Sequence, residues 1–135
     1  MRGKLWNVLR SVGSIILGYA VIVLGTSIGF KYVASSEYYG VSPFEKMLAA
    51  GVAVFSGLAG GYVAGWISPS RPVLHAAGVI LFLIMDTTYV VTSGISKSPV
   101  WFDLMGAATL MVTSVVGGLL YQKTSLRPQV NIRKI

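Results

Sequence analysis

The chain has 135 residues, 54 % of them hydrophobic and 11 % charged, with a mean hydropathy of +0.72, which is too apolar for an ordinary soluble domain and makes a lipid bilayer its natural solvent. A net charge of +7 is high enough for nucleic acid, but the basic residues gather at the ends of apolar runs, so membrane topology accounts for them and no nucleic-acid partner is expected. With no cysteine, disulfides, thiolate metal sites and cysteine nucleophiles are excluded.

Crossing a hydrocarbon core of roughly 30 Å takes about 20 apolar residues, and the sequence offers four such runs separated by short polar stretches. The first covers residues 11–30 and follows the basic start Arg2, Lys4, Arg10. It is longer than the core of a signal peptide, and Val33-Ala34-Ser35, the small-residue site nearest a cleavage pattern, lies beyond Lys31, so a retained helix is expected. Ser42-Pro43-Phe44-Glu45 starts the second: Ser42 can cap free amides, Pro43 suits the first helical position and Glu45 can return a capping bond. This helix is expected over about 44–67, because Ser68-Pro69-Ser70-Arg71-Pro72 forces the chain to stop and reverse. The third helix then covers about 73–93, and after a turn ending in Ser98-Pro99 the fourth covers about 100–121. A basic tail, 122–135, follows. The expected fold is all-α: one domain over 1–135, a four-helix transmembrane bundle made of two helical hairpins.

Lys and Arg fall unevenly on the two sides. Arg2, Lys4, Arg10, Arg71, Lys123, Arg127, Arg133 and Lys134 share one side, against Lys31, Lys46 and Lys97 on the other, which predicts both termini in the cytoplasm. Trp6, Trp66, Trp101, Tyr38, Tyr39 and Tyr121 stand near helix ends, at the level of the lipid headgroups. A faint repeat is visible too, because Ser42-Pro43 precedes Gly60-Gly61 much as Ser98-Pro99 precedes Gly117-Gly118. It is compatible with parallel repeats, and equally with the shared grammar of membrane helices.

Two features are candidates for function. In the second helix Ala49, Ala53, Gly57, Gly61 and Gly65 recur every four residues and form one small-residue stripe, a glycine-zipper pattern along which another backbone can approach closely. Ser14, Gly18, Gly25 and Gly29 of the first helix, or Thr109, Thr113 and Gly117 of the fourth, could meet it. The stripe serves either packing within the chain or assembly with a second copy or another membrane protein. The other feature is Asp86, set among apolar residues about 12 Å from the nearer end of its helix. Insertion of an acid at mid-membrane costs roughly 2.5–3.5 kcal/mol, so Asp86 is expected to face the interior with His75, Phe82, Tyr89 and Ser93, which share its side of the helix. By depth, Thr26, Ser27 and Thr109 are its candidate hydrogen-bond partners, and Lys31 the nearest cation. Asp86, Tyr89, Thr109 and Thr26 together make the candidate polar site. It is suited to a proton or cation relay, or to a neutral acid that fixes packing.

The stretch from Gly60-Gly61 through Trp66 and Ser68-Pro69-Ser70-Arg71-Pro72 to His75-Ala76 resembles the central hairpin of small, uncharacterised bacterial four-helix integral membrane proteins. That resemblance implies a bacterial inner-membrane location and carries no catalytic or ligand residue with it. Small multidrug-resistance transporters are similar in size, but their signature acid lies in helix one, where residues 11–30 contain none. Asp86 and His75 lie roughly 16 Å apart by helical rise, too far for a dyad, and a single histidine gives little support to a metal site. The expectation is a non-enzymatic protein without cofactor, an interaction or accessory subunit of a membrane assembly. The alternative is an oligomeric ion or small-solute transporter or channel using Asp86.

Overall fold

In the computed structural model, which describes residues 2–33, 42–96 and 98–125, the chain forms α1 (Arg2–Val33), α2 (Pro43–Ile67), α3 (Pro72–Ser93) and α4 (Val100–Ser125), with no strand among the described residues. All four helices are long and apolar enough to cross a membrane. Tyr38, Tyr39, Lys97, Arg127, Arg133, Lys134 and the Val33-Ala34-Ser35 stretch after its first residue lie outside the described residues.

The ends of the helices follow from local chemistry. At α2, the Ser42 hydroxyl accepts from the Glu45 backbone amide (3.3 Å) and the Glu45 carboxylate accepts from the Ser42 amide (2.9 Å), a complete capping box with Pro43 behind it. At the start of α4, Pro99 rather than Ser98 supplies the first carbonyl, accepting from Phe102 (2.9 Å), so the two Ser-Pro pairs do not play the same part. Between α2 and α3 the turn places Arg71 at φ 52°, in the left-handed region that is costly for a residue with a Cβ. Gly94 ends α3 at φ 63°, where lack of a side chain removes the clash.

Three boundaries differ from the hydropathy reading by three residues or more. α1 begins at Arg2 instead of residue 11 and runs to Val33 instead of 30, and α4 continues to Ser125 instead of ending at 121. Hydropathy marks the part of a helix that lies in lipid, whereas the helix itself continues until a breaker, and neither Lys4–Arg10 nor Gln122–Ser125 contains proline. At about 48 Å, α1 is longer than the roughly 30 Å hydrocarbon core and extends past it at the end carrying Arg10.

Besides the contacts between sequence neighbours, α2 packs extensively on α4 and α1 touches α3, while α1 and α4 touch least. α2 is the hub, and it holds its neighbours through two adjacent rows of small residues. Gly57 and Gly61 lie against Thr113 and the Ser114 backbone of α4, and Gly117 of α4 lies in turn against the α2 backbone at Leu58 and Tyr62. One residue earlier in register, Ser56, Gly60 and Ala64 receive α1: a Cβ on Gly18 would stand 2.7 Å from the Ala64 methyl and 2.8 Å from the Gly60 carbonyl. Backbones this close permit dense van der Waals contact, which in lipid replaces the hydrophobic drive. The core proper is small: Ile22, Ala64, Val79 and Leu83, with Ile15, Tyr19, Leu110 and Met111 around them. Across α3 and α4 the buried Ser114 hydroxyl donates to the Ala76 carbonyl (3.1 Å).

The charges separate by end. Lys4, Arg10, Arg71 and Lys123 gather where α1 and α3 begin and α2 and α4 finish; Lys31, Glu45, Lys46 and Asp103 mark the opposite end. Arg10 donates to the Ile67 carbonyl (3.2 Å), giving the last turn of α2 the cation its own sequence lacks.

Candidate functional site

The expected site at Asp86 is arranged differently from the sequence reading. The buried line of α3 runs through Ala76, Val79 and Leu83, and Asp86 sits on the flank of that line, exposed at the surface of the chain. Its face does not point inward along its length: His75 is 8 % exposed, but Tyr89 is 62 % exposed and Ser93 is exposed as well. The cause is the course of α1. Near the basic end α1 covers α3, with Ile15 against Gly78, Gly18 against Val79, and the Tyr19 ring 5.4 Å from that of Phe82. Farther along, Gly25 and Gly29 of α1 lie on Ser56 and Val52 of α2, and the α3 flank beyond Phe82 is left uncovered.

At the edge of that cover Tyr19 is the neighbour of Asp86 across the α1–α3 junction. Tyr19 comes from α1 and Asp86 from α3, so this contact joins two helices at mid-span. The hydroxyls chosen by depth do not join it. Thr26 donates to Ile22 of its own helix (2.8 Å) and Thr109 to Met105 of its own (2.9 Å). Thr87 and Thr88, beside Asp86, donate back to Leu83 and Ile84 (both 2.7 Å). Of Asp86, Tyr89, Thr109 and Thr26, the structure brings Asp86 and Tyr89 to one exposed flank and leaves the two threonines elsewhere.

The small-residue stripe is divided among several surroundings. Gly57 and Gly61 face α4; Gly65 faces Tyr121 of α4 and Pro72 of α3, with a Cβ there 3.3 Å from each. Ala53 is buried and Ala49 half-buried. Of the suggested opposing groups, Thr113 and Gly117 meet α2 on this side, while Gly18, Gly25 and Gly29 meet the adjacent row. Gly57 with Thr113 and Gly65 with Tyr121 are equally spaced in the chain, the same separation as Ser42 from Ser98, so the faint repeat coincides with the α2–α4 contact.

His75 is buried rather than solvated. Its Nδ1 lies 3.1 Å from the Arg71 carbonyl, which requires a proton on Nδ1, and the same carbonyl accepts from the amides of Leu74 and His75. This ring closes the first turn of α3, where no side-chain cap is present. Among the described residues, no three of His, Asp or Glu come together in a way that could hold a metal ion. Three residue groups escaped the sequence reading: Tyr19, the Ser56–Gly60–Ala64 row and Ser114. Tyr19 carried a signal, since a hydroxyl-bearing ring in the middle of an apolar run is far from the headgroups that such rings favour.

Comparison of the chain with protein-family models, with curated proteins and with solved structures finds no match.

Proposed function

We propose that this is a non-enzymatic, multi-pass protein of a bacterial inner membrane, with both termini in the cytoplasm, acting as an interaction or accessory subunit of a larger membrane assembly. The observation that carries this reading is the uncovered α3 flank with Asp86 at mid-span. A carboxyl group in hydrocarbon is costly, and covering it with another membrane helix removes that cost. The interior supports the same reading, because the small-residue rows of α2 are occupied by backbone from α1 and α4, an arrangement suited to holding a shape. Orientation rests on the basic end formed by Lys4, Arg10, Arg71 and Lys123.

Native mass spectrometry of the protein extracted with its surrounding lipid tests the reading: a second chain in fixed stoichiometry is expected, and a bare monomer under all mild conditions contradicts it. A second reading, transport, is favoured by the Tyr19–Asp86 contact, since a carboxyl beside a hydroxyl can exchange protons or bind a cation.

A further inference from the structure

Asp86 has Tyr19 for a neighbour but, among the described residues, no compensating charge. Tyr19 can donate one proton, whereas an ionised carboxylate has about four acceptor positions, so most of them still face outward. The nearby hydroxyls of Thr87 and Thr88 are directed into their own helix. Among the described residues the cations lie toward the two ends of the bundle, Arg10 reaching the last turn of α2, so none shares the depth of Asp86. A second copy in the same orientation brings no cation to that depth either, and around a twofold axis it sets a second carboxyl beside the first. Among the described residues nothing at this depth complements a carboxylate, and a cationic side chain from outside would.

We propose that the α1–α3 flank at Tyr19 and Asp86 docks a transmembrane helix of another protein, one that presents a lysine or arginine at mid-membrane depth. This rests on the accessory-subunit reading and specifies the chemistry of its partner. Tyr89, exposed about one turn farther along α3, supplies an aromatic surface beside the charge, against which the aliphatic stem of such a side chain can lie. Tyr19, its ring packed on Phe82, stands beside the carboxyl where α1 ends its cover of α3, the place of a positioning residue.

The test uses the full chain in phosphatidylcholine vesicles with a synthetic polyleucine spanning peptide bearing one central lysine, beside the same peptide with leucine there. Resonance energy transfer between labelled chain and peptide reads association. The lysine peptide is expected to bind at least about ten-fold more tightly than the leucine peptide, an advantage that Asp86→Asn abolishes and Tyr19→Phe reduces. Circular dichroism and thermal melting of both variants should match the parent, which separates loss of docking from loss of fold. If either variant fails to fold, the two peptides compared on the unaltered chain still decide the matter. Equal binding of the two peptides, or an advantage that survives in folded Asp86→Asn, overturns the proposal. So does rapid disulfide dimerisation of Tyr89→Cys without peptide, which would put a second copy on this face. A natural partner that remains bound to Asp86→Asn would leave the accessory reading standing and defeat only this inference.

Discussion

Ser42 and Arg71, near the two ends of α2, show what single residues contribute to the bundle. Ser42 satisfies an amide that the helix start leaves free, and Ser42→Ala is expected to lower stability by about 0.5–2 kcal/mol in thermal unfolding followed by tryptophan fluorescence. An unchanged melt would show that water or headgroups cap the helix equally well. Arg71 acts in the opposite sense. Its left-handed backbone costs a residue with a Cβ roughly 1–2 kcal/mol, whereas glycine there costs about 0.5–1 kcal/mol in chain entropy, so Arg71→Gly should be stabilising by up to about 1 kcal/mol in the same assay. A clear loss would mean that the arginine side chain holds the turn. The capping box was legible because Ser-Pro-x-Glu is a local pattern. The conformation of Arg71 was not, since the prolines announce a reversal without fixing the dihedral angles that achieve it.

The contacts between helices depend on what each glycine faces. A Cβ on Gly61 would run into the Ser114 backbone, whereas one on Gly51 of the same helix meets nothing within 4 Å. Gly61→Ala should therefore destabilise the bundle by about 1–3 kcal/mol through overpacking, and Gly51→Ala should be neutral or stabilising by up to about 1 kcal/mol through helix propensity. Equal effects at the two positions, measured as midpoint shifts in detergent, would remove the close α2–α4 contact from the account. Period-four spacing made the row containing Gly57, Gly61 and Gly65 visible. The row beside it was harder to see, because Ser56 interrupts the small apolar pattern although its side chain still admits Gly25. Asp86 shows the limit of periodicity: the helical repeat tells which residues share a side, but not how far a neighbouring helix covers that side. α1 covers the flank at Gly78 and Phe82 and then follows α2.

Taken together, the four helices gather most of their described basic residues at one end and leave an acid uncovered on a flank at mid-span. Reporter fusions at Ile135 should be active as cytoplasmic enzymes and inactive as periplasmic ones, since the basic end is expected to stay inside; the reverse pattern would invert the bundle. Composition made the membrane class and the number of helices legible, because four apolar runs admit few other solutions. The process served was not legible, since neither the small-residue rows nor a single mid-span acid specifies a partner or a substrate. Subunit and transporter are most directly separated by flux through the purified chain in proteoliposomes, with a pH gradient and with sodium and potassium gradients. A subunit without transport gives no flux above empty vesicles for either the unaltered chain or Asp86→Asn; pH-dependent flux through the former, abolished in a folded Asp86→Asn, would contradict the subunit reading.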